Sequence, residues 1–306
     1  MLKIAVIGGG SSSERKVSLN SSKKVFENLD ETKYEKYYFD FPNDLEKFLE
    51  NHKNLDVVMP VLHGVGGEDG QIQGFLKTLG LKFTFSDVTA QAIAMDKHLT
   101  EILIKTETDI KMPESKTFEI DEINTEEIEK SFSYPLVIKP TMGGSSLGAF
   151  IVKDRNELEK GLIDIKTFNQ PILVQDYITG RELTVAILGN KRMKALPVIE
   201  ICPKKEFFDY QAKYDSQFCE EICPAEIDDA LAQDLQRQAL LAHQVIGCRG
   251  LSRSDFIVTK DNEIFFLETN TIPGMTSESL APKAAAADGY SYPEFLDKLI
   301  ELAQEA

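Results

Sequence analysis

The stretch from Ser252 to Thr276 constrains the fold most, because two apolar β runs flank a turn-forming pair, Asp261-Asn262. If the two strands join through a two-residue loop at that pair, four polar side chains face one another in two pairs. These are Asp255 opposite Glu268 and Arg253 opposite Asn270. All four then share one face of the hairpin, because side chains alternate along a strand.

This group of polar side chains has two interpretations. Opposed carboxylates on one strand face repel unless a cation lies between them. Carboxylate and amide oxygens suit Mg²⁺ that is bound together with phosphates. The alternative is an ordinary surface salt bridge with Arg253. The hairpin alone leaves both interpretations open, so the rest of the sequence has to decide between them.

The charge of the chain argues against two classes of partner. Its 34 Lys and Arg against 50 Asp and Glu give a net charge of −16, which argues against a nucleic-acid or anionic-membrane surface. An anionic ligand would need a locally basic site. No apolar run approaches the roughly 20 residues of a membrane span, and the start does not resemble a signal peptide. The four cysteines lack C-x-x-C spacing, which predicts reduced thiols in a cytoplasmic protein.

The first strand runs from Lys3 into Gly8–Gly10 and then into a helix N-terminus, an arrangement that attracts anions. The spacing imitates a dinucleotide fingerprint, but Ser13 occupies the third glycine position. Asp40 is a weak candidate for the ribose carboxylate that such a site needs. We therefore favour a Rossmann-like layer without NAD, with Glu14 at the helix start, over a dinucleotide-dependent oxidoreductase.

Two further glycine-rich loops follow apolar strands. The first, His63–Gly70, lies at the carboxyl end of a strand, where α/β sheets bind ligands. Within it, Glu68 and Asp69 are either ligand groups or simple supports of the loop and the next helix. The second loop, residues 141–148, follows Lys139. A lysine in an apolar strand beside a Gly/Ser loop is typical of phosphate binding, with a plain hairpin as the alternative.

The order of these patterns predicts an α/β chain in three units. We place them at residues 1–95, 96–180 and 181–306. Glu182 opens a strand directly after the second boundary and is suited to accept hydrogen bonds from ribose hydroxyls. The segment from about 202 to 224 lacks clear periodicity and has the length of a functional lid.

Six motifs in this order make the chain resemble the D-alanine–D-alanine ligases of the ATP-grasp superfamily, from Ile4 to about Leu302. The motifs are Ser12–Asn20, His63–Gly70, Met95–Lys97, Lys139–Pro140 with Gly144–Gly148, Ala212–Tyr214, and Glu268–Thr276. The resemblance implies an α/β (α+β) ATP-grasp fold behind an N-terminal Rossmann-like (pre-ATP-grasp) domain. It also implies a homodimer that ligates two D-alanine molecules at the expense of ATP, for peptidoglycan precursor synthesis in the cytoplasm.

The resemblance also implies a role for each matching residue. The ATP-binding residues are Lys97, Lys139, Ser146 and the ribose-binding Glu182. The ligands of two Mg²⁺ ions, with Mn²⁺ as a substitute, are Asp255, Glu268 and Asn270. The catalytic group is Glu14, Ser145 and Tyr214, with Arg253 and the backbone N–H of Gly274 at the tetrahedral intermediate. The substrate-binding residues are His63, Lys213 on the lid, and Ser279 for the carboxylate of the second D-alanine.

The chain departs from the family pattern at the adenine-binding strand and in the lid. Gln175 and Asp176 stand where many members carry an acidic residue, so adenine recognition is left open there. Cys219 and Cys223 in the lid have no assigned role. The alternatives are another ATP-grasp carboxylate–amine ligase, or a ligase that joins D-alanine to D-lactate or D-serine. Because relatives that use D-lactate often lack the tyrosine at Tyr214, we predict a dipeptide ligase.

Overall fold

A computed structural model describes residues 1–121, 123–144, 148–203 and 219–305. Its strands are β1 (Leu2–Gly9), β2 (Tyr34–Phe41), β3 (Val57–Pro60), β4 (Lys82–Phe83), β5 (Ser115–Phe118), β6 (Leu136–Pro140), β7 (Phe150–Val152), β8 (Ile172–Asp176), β9 (Arg181–Gly189), β10 (Lys194–Ala195), β11 (Ile199–Pro203), β12 (Cys219–Ile222), β13 (Gly250–Val258) and β14 (Ile264–Asn270). Its helices are α1 (Arg15–Asn28), α2 (Leu45–Asn51), α3 (Gln71–Thr78), α4 (Val88–Met95), α5 (Lys97–Glu107), α6 (Thr125–Ser131), α7 (Arg155–Ile165), α8 (Asp229–Ile246), α9 (Leu280–Ala287) and α10 (Tyr292–Glu305).

The first sheet is parallel and Rossmann-like, with strand order β2-β1-β3-β4. Its central strand β1 is an apolar run that is almost completely buried, as expected for a parallel sheet covered on both faces. The loops that carry Glu14 and His63 follow β1 and β3 at the carboxyl edge of this sheet. The sheet therefore brings two of the sequence motifs to one side of the molecule.

The second sheet is antiparallel, with order β5-β8-β6-β7, and packs its apolar face against α6 and α7. Lys139 lies on β6 opposite Leu173 of β8. The third sheet has the order β12-β11-β9-β13-β14, with β10 added beside β9. Helices α4, α5 and α8 contribute to the core that covers this third sheet.

The hairpin β13–β14 has the predicted pairs but not the predicted loop. Asp255 lies opposite Glu268 and Arg253 opposite Asn270, as expected. The two-residue loop is wrong: Thr259 N–H donates to Glu263 O at 2.9 Å, and Asn262 takes a φ of 61° at the end of a three-residue loop. The extra loop residue moves the strand pairing by one residue, and a β-bulge beside Asp255 moves it back, so the predicted pairs still form.

Helices α9 and α10 close the chain against the first sheet rather than forming a separate layer. Phe295 and Leu299 of α10 share one buried core with Val6 and Val57 of the first sheet and Leu251 of β13. The predicted boundaries at 95/96 and 180/181 stay predictions. Apolar packing of the last helices against the first strands joins the C-terminal part of the described chain to its N-terminal part.

The ends of the predicted lid are strands rather than loop. Cys202 and Pro203 belong to β11, and Cys219–Ile222 forms β12, which pairs with β11 in antiparallel register. Lys213 and Tyr214 lie outside the described residues, between these two strands in sequence. In the described part of the chain, no helix combines the length and the apolar character that crossing a membrane requires.

His243 of α8 is expected to make folding stability depend on pH. Its side chain is fully buried against Ser252 (Nδ1···Oγ 2.7 Å), and burial lowers the pKa of His243 to about 4. As pH falls, the histidine of the unfolded chain therefore takes up its proton at a higher pH than the buried histidine of the folded protein. The free energy of unfolding consequently falls as pH drops from about 6.5 towards 4. At pH 5 this single group should cost on the order of 2 kcal/mol relative to pH 7.

Denaturant unfolding of the protein and of His243→Gln at pH 7 and pH 5 measures this effect. The variant should lose less stability between the two pH values, whereas His52→Gln, at a partly exposed site, should lose as much as the parent protein. Equal losses in the parent protein and in His243→Gln would show that His243 is not held neutral by the fold.

Candidate active site

Two adjoining cavities lie between the three sheets, with volumes of about 600 Å³ and 220 Å³. They share the side chains of Lys97, Glu182, Asp255 and Glu268. The larger one is also lined by predicted site residues, namely Glu14, His63, Arg253, Asn270, Gly274 and Ser279. The smaller one contains Lys139. Ser145, Ser146, Lys213 and Tyr214 lie outside the described residues.

The opposed carboxylates of the hairpin form the common wall of the two cavities. Arg253 donates from Nε and Nη2 to the two carboxylate oxygens of Asp255, at 2.9 and 2.7 Å. Thr184 adds a third hydrogen bond at 2.6 Å. The salt bridge considered from the sequence therefore exists, but it is buried, with side-chain exposures of 13% and 5%. It is a feature of the cavity wall and not of the outer surface.

The oxygen atoms on this wall fit a metal ion that is shared with phosphates. Among the described residues, no group of three or more His, Cys, Asp or Glu side chains is arranged to hold a metal by itself. Two opposed carboxylates and the Asn270 amide are present instead, although Asn270 Oδ1 also accepts the Ile272 N–H at 3.0 Å. This donor set suits Mg²⁺, which typically uses one or two carboxylates and completes its shell with phosphates and water.

Glu14 also lines the larger cavity. It occupies the N-cap position of α1 and is only 4% exposed, yet its side chain makes no capping hydrogen bond. A methyl group on Gly64 or Gly144 would come within 2.9 or 3.1 Å of its Oε1 atom. Glycine at both positions lets two loops close on this carboxylate, which sits at the favourable end of the helix dipole.

The loop after β3 contains two carboxylates with different surroundings. Asp69 accepts the backbone N–H groups of Gly66 and Gln71, at 2.7 and 3.1 Å, and supports the loop. Glu68 accepts the Gly64 N–H at 2.6 Å but also lines the larger cavity. Asp69 therefore supports the loop, which is one of the two roles that the sequence allowed for it. Glu68 was not among the predicted site residues, although a loop at the carboxyl end of a parallel strand is where α/β sheets bind ligands.

Burial changes the ionisation of this loop. Burial raises the pKa of Glu68 to about 8, an effect that the negative charge of Glu14 increases and the Gly64 N–H opposes. Burial lowers the pKa of His63 to about 4, so this imidazole is neutral at pH 7. The loop therefore presents a neutral histidine and a carboxyl group that titrates close to neutral pH.

The start of α9 forms a third wall of the larger cavity. Ser279 is its N-cap residue, and its Oγ lies 2.8 Å from Thr276 Oγ1. A methyl group on Gly274 would come within 2.8 Å of that same Oγ, so the Ser279 side chain would have to move. One turn further on, Lys283 also lines the cavity and pairs with Glu221 of β12 at 2.8 Å. Lys283 was missed by the sequence analysis, although four residues after Ser279 it shares its helix face.

The smaller cavity has an apolar lining with a few polar groups. Lys97 donates from Nζ to Gly143 O, which fixes the start of α5 beside the glycine-rich loop. Gln175 is only 6% exposed, and its Oε1 atom has no hydrogen-bond partner among the described residues. Because buried polar atoms are nearly always paired, this oxygen is suited to a donor on a bound ligand.

The glycine turn after β1 is filled by the chain's own side chains. Arg15 donates to Gly10 O and Phe41 O at 3.0 and 2.8 Å, and it forms an ion pair with Asp40 at 2.7 Å. The Gly9 N–H donates to Ser18 Oγ at 2.9 Å. The groups that a dinucleotide would use are therefore engaged in internal hydrogen bonds, which disfavours the NAD alternative.

Comparisons with known proteins agree along the whole chain. A family model described as D-ala D-ala ligase C-terminus matches residues 104–301, and one described as D-ala D-ala ligase N-terminus matches residues 40–86. The D-alanine–D-alanine ligase of Desulfotalea psychrophila is 43% identical over 310 residues, covering 99% of this chain and 95% of that protein.

Solved structures of similar proteins share the fold. The D-alanine–D-alanine ligase of Bacillus anthracis has a TM-score of 0.88 at 36% identity, covering 100% of this chain and 98% of its own. Its complex with ATP has a TM-score of 0.86 at 32% identity, with the same coverage. The VanG D-Ala:D-Ser ligase of Enterococcus faecalis has a TM-score of 0.86 at 33% identity and covers 99% of each chain.

Proposed function

The chain belongs to the D-alanine–D-alanine ligase family and has the ATP-grasp fold, and from this premise we propose that it joins two D-alanine molecules with consumption of ATP. One observation carries the proposal: the two cavities meet at Lys97, Glu182, Asp255 and Glu268. A nucleotide in the smaller cavity would thus direct its phosphates at amino-acid substrates in the larger one. We propose that the product supplies peptidoglycan precursor synthesis in the cytoplasm.

The reaction would proceed in two steps that use different walls of the cleft. First, the carboxylate of one D-alanine attacks the γ-phosphorus of ATP, the bond from this phosphorus to the β,γ-bridging oxygen breaks, and ADP leaves. The product is an acylphosphate, and Lys97 and Lys139 would neutralise the phosphates. Second, the amine of the other D-alanine attacks the acyl carbon, and phosphate leaves. Asp255, Glu268 and Asn270 would hold Mg²⁺ or Mn²⁺, which supplies charge neutralisation at the phosphates when bound.

The two substrates would be held by their charged ends. Glu14 would hold the ammonium group of the first D-alanine beside His63, in a group that includes Ser145 and Tyr214. Ser279, at the N-terminus of α9, would accept the carboxylate of the second D-alanine. Arg253 and the Gly274 N–H would donate to the oxyanion of the tetrahedral intermediate.

The remaining assignments rest on the family alone. Ser146 would contact ATP, Lys213 would contact substrate from the lid, and the active form would be a homodimer. The acylphosphate hydrolyses readily in water, so the segment between β11 and β12 is suited to exclude solvent during the reaction.

Phosphate release from ATP–Mg²⁺, measured with and without D-alanine, tests the proposed function. We expect release that depends on D-alanine and a product that is D-alanyl-D-alanine rather than the D-lactate or D-serine analogue when all three are offered at pH 7. ATP–Mg²⁺ should also raise the melting temperature, whereas NAD should not. Phosphate release independent of D-alanine, or stabilisation by NAD alone, would contradict the proposal.

Gln175 is expected to bind the nucleotide, and Gln175→Met tests this role. The variant removes a buried acceptor that has no partner in the described part of the chain, so the ligand-free stability should not fall. The KM for ATP should nevertheless rise by about five- to tenfold, since one hydrogen bond of about 1 kcal/mol is lost. Steady-state kinetics and thermal unfolding of the same sample measure both effects. A loss of stability without a change in KM would assign Gln175 to folding instead.

A further inference from the structure

Glu68 is a buried carboxyl group on the wall of the larger cavity that the proposed reaction does not yet use. It is 8% exposed, and its position is set by the Gly64 N–H, which donates to Oε2 at 2.6 Å. The adjacent Asp69 accepts the Gly66 N–H in the same way, at 2.7 Å, but does not line the cavity. Loop support alone therefore does not explain why Glu68 faces the substrates.

Acidic side chains of the larger cavity are suited to bind the ammonium groups of two amino-acid substrates. Among the described residues, the acidic side chains that line it are Glu14, Glu68, Glu182, Glu221, Asp255, Glu268 and Glu278. Glu221 and Glu278 pair with Lys283, at 2.8 and 3.8 Å. Glu182, Asp255 and Glu268 also face the nucleotide cavity. Each amino-acid substrate brings one ammonium group, and Glu14 is proposed for the first.

Glu68 and Glu14 approach the same point of the cavity. A methyl group on Gly144 would lie 3.1 Å from Glu14 Oε1 and 3.9 Å from Glu68 Oε2. The two carboxyl groups therefore border neighbouring positions beside the glycine-rich loop. In the dipeptide, the first nitrogen and the amide nitrogen are separated by only two carbon atoms. The two ammonium groups must therefore lie close together before the amide bond forms.

Resting on the proposed function, we infer that Glu68 is a catalytic residue that binds the ammonium group of the second D-alanine and accepts its proton. The N–H bond breaks and the proton moves to the Glu68 carboxylate. The freed nitrogen lone pair forms the C–N bond to the acyl carbon. The C–O bond to phosphate then breaks, its electron pair goes to the phosphate, and the second proton lost from nitrogen leaves on the phosphate.

The surroundings of Glu68 suit a proton acceptor. Burial raises the pKa of Glu68 to about 8, with further increases from Glu14 and Glu268 and a decrease from Arg253. The positive charge of an ammonium group bound beside Glu68 favours its ionised form, which is the form that accepts a proton. Burial keeps the proton affinity of this carboxylate closer to that of an amine than an ordinary carboxylate allows, which favours transfer. The neighbouring His63 is a poorer acceptor, because burial lowers its pKa to about 4.

Glu68→Gln, assayed with two nucleophiles at pH 7, tests this role. D-Alanine must lose a proton before it attacks, whereas hydroxylamine attacks the acylphosphate as an uncharged molecule and gives D-alanyl hydroxamate. The variant should form dipeptide about 10²–10⁴-fold more slowly and hydroxamate at a rate close to that of the parent protein. Its dipeptide rate should rise about tenfold per pH unit, as free amine becomes available.

Asp69→Asn is the matched control, because it alters a carboxylate that supports the same loop outside the cavity. It should change both rates by the same small factor. If Glu68→Gln slows hydroxamate and dipeptide formation equally, or slows neither, Glu68 only shapes the loop and the inference is wrong. If the parent protein forms neither dipeptide nor hydroxamate from ATP and D-alanine, the proposed function itself fails.

Discussion

Arg253→Ala should lower the rate of D-alanine-dependent phosphate release by about 10²–10³-fold. Arg253 lies two residues before Asp255 on β13, opposite Asn270, and lines the larger cavity with Gly274. A guanidinium in this position can donate to the negative charge that develops on the acyl oxygen. Because that charge appears in the transition state, the loss should fall mainly on kcat rather than on KM.

The buried ion pair complicates a simple reading of this variant. Removing Arg253 leaves the Asp255 carboxylate, which is 4% exposed, without its bidentate partner, so stability should also fall. Arg253→Lys keeps a positive charge there and separates charge from geometry, since lysine cannot form the planar two-bond contact. We expect it to fold better than the alanine variant and to remain slow.

Arg237→Ala is the control for a charge change at the surface. Arg237 is half-exposed and pairs with Asp234 one turn away on α8, so its loss should leave the rate unchanged. Stopped-assay kinetics, together with melting temperatures, distinguish the two effects. An Arg253→Lys variant with a normal kcat would show that the intermediate is stabilised elsewhere.

Glu268→Gln should lower the same rate on the order of 10³-fold, because it removes a charged oxygen from the common wall of the two cavities. Neutralising phosphate charge with a metal ion is worth several kcal/mol in the transition state, and each 1.4 kcal/mol corresponds to about tenfold in rate. The substitution keeps the size of the side chain. The expected loss therefore reflects charge rather than packing.

The dependence on Mg²⁺ identifies the cause of the loss. The Glu268→Gln variant should need a higher Mg²⁺ concentration for half-maximal rate, and ATP–Mg²⁺ should stabilise it less than the parent protein. Glu263→Gln is the matched control on the same hairpin, at the residue before β14 begins, where Glu263 is exposed and pairs with Lys111 at 2.8 Å. If both variants respond equally to Mg²⁺, the hairpin carboxylates do not hold the metal.

In the hairpin, the sequence predicted the correct residue pairs from an incorrect loop length. Counting outward from a two-residue loop placed Asp255 opposite Glu268, and the structure confirms this pair. The real loop has three residues, and the bulge beside Asp255 restores the register. A bulge depends on how β13 also pairs with β9, and that contact joins residues about 70 positions apart, so the pattern near the turn cannot predict it.

Residue types and short-range spacing determined much of this protein from the sequence alone. Alternation predicted the shared face of Arg253 and Asp255, and six ordered motifs predicted the ligase family and the ATP-grasp fold. The shared face was predictable because strand alternation depends on neighbouring residues only.

Tertiary structure alone decided which polar groups share the cleft and how they ionise. Glu14, Glu68 and Lys283 come from the two ends of the chain, and only the packing of α9 and α10 against the first sheet brings them together. Burial by these distant segments raises the pKa of Glu68 and lowers that of His63. Desolvation depends on every atom around a group, whereas sequence spacing describes only its neighbours along the chain.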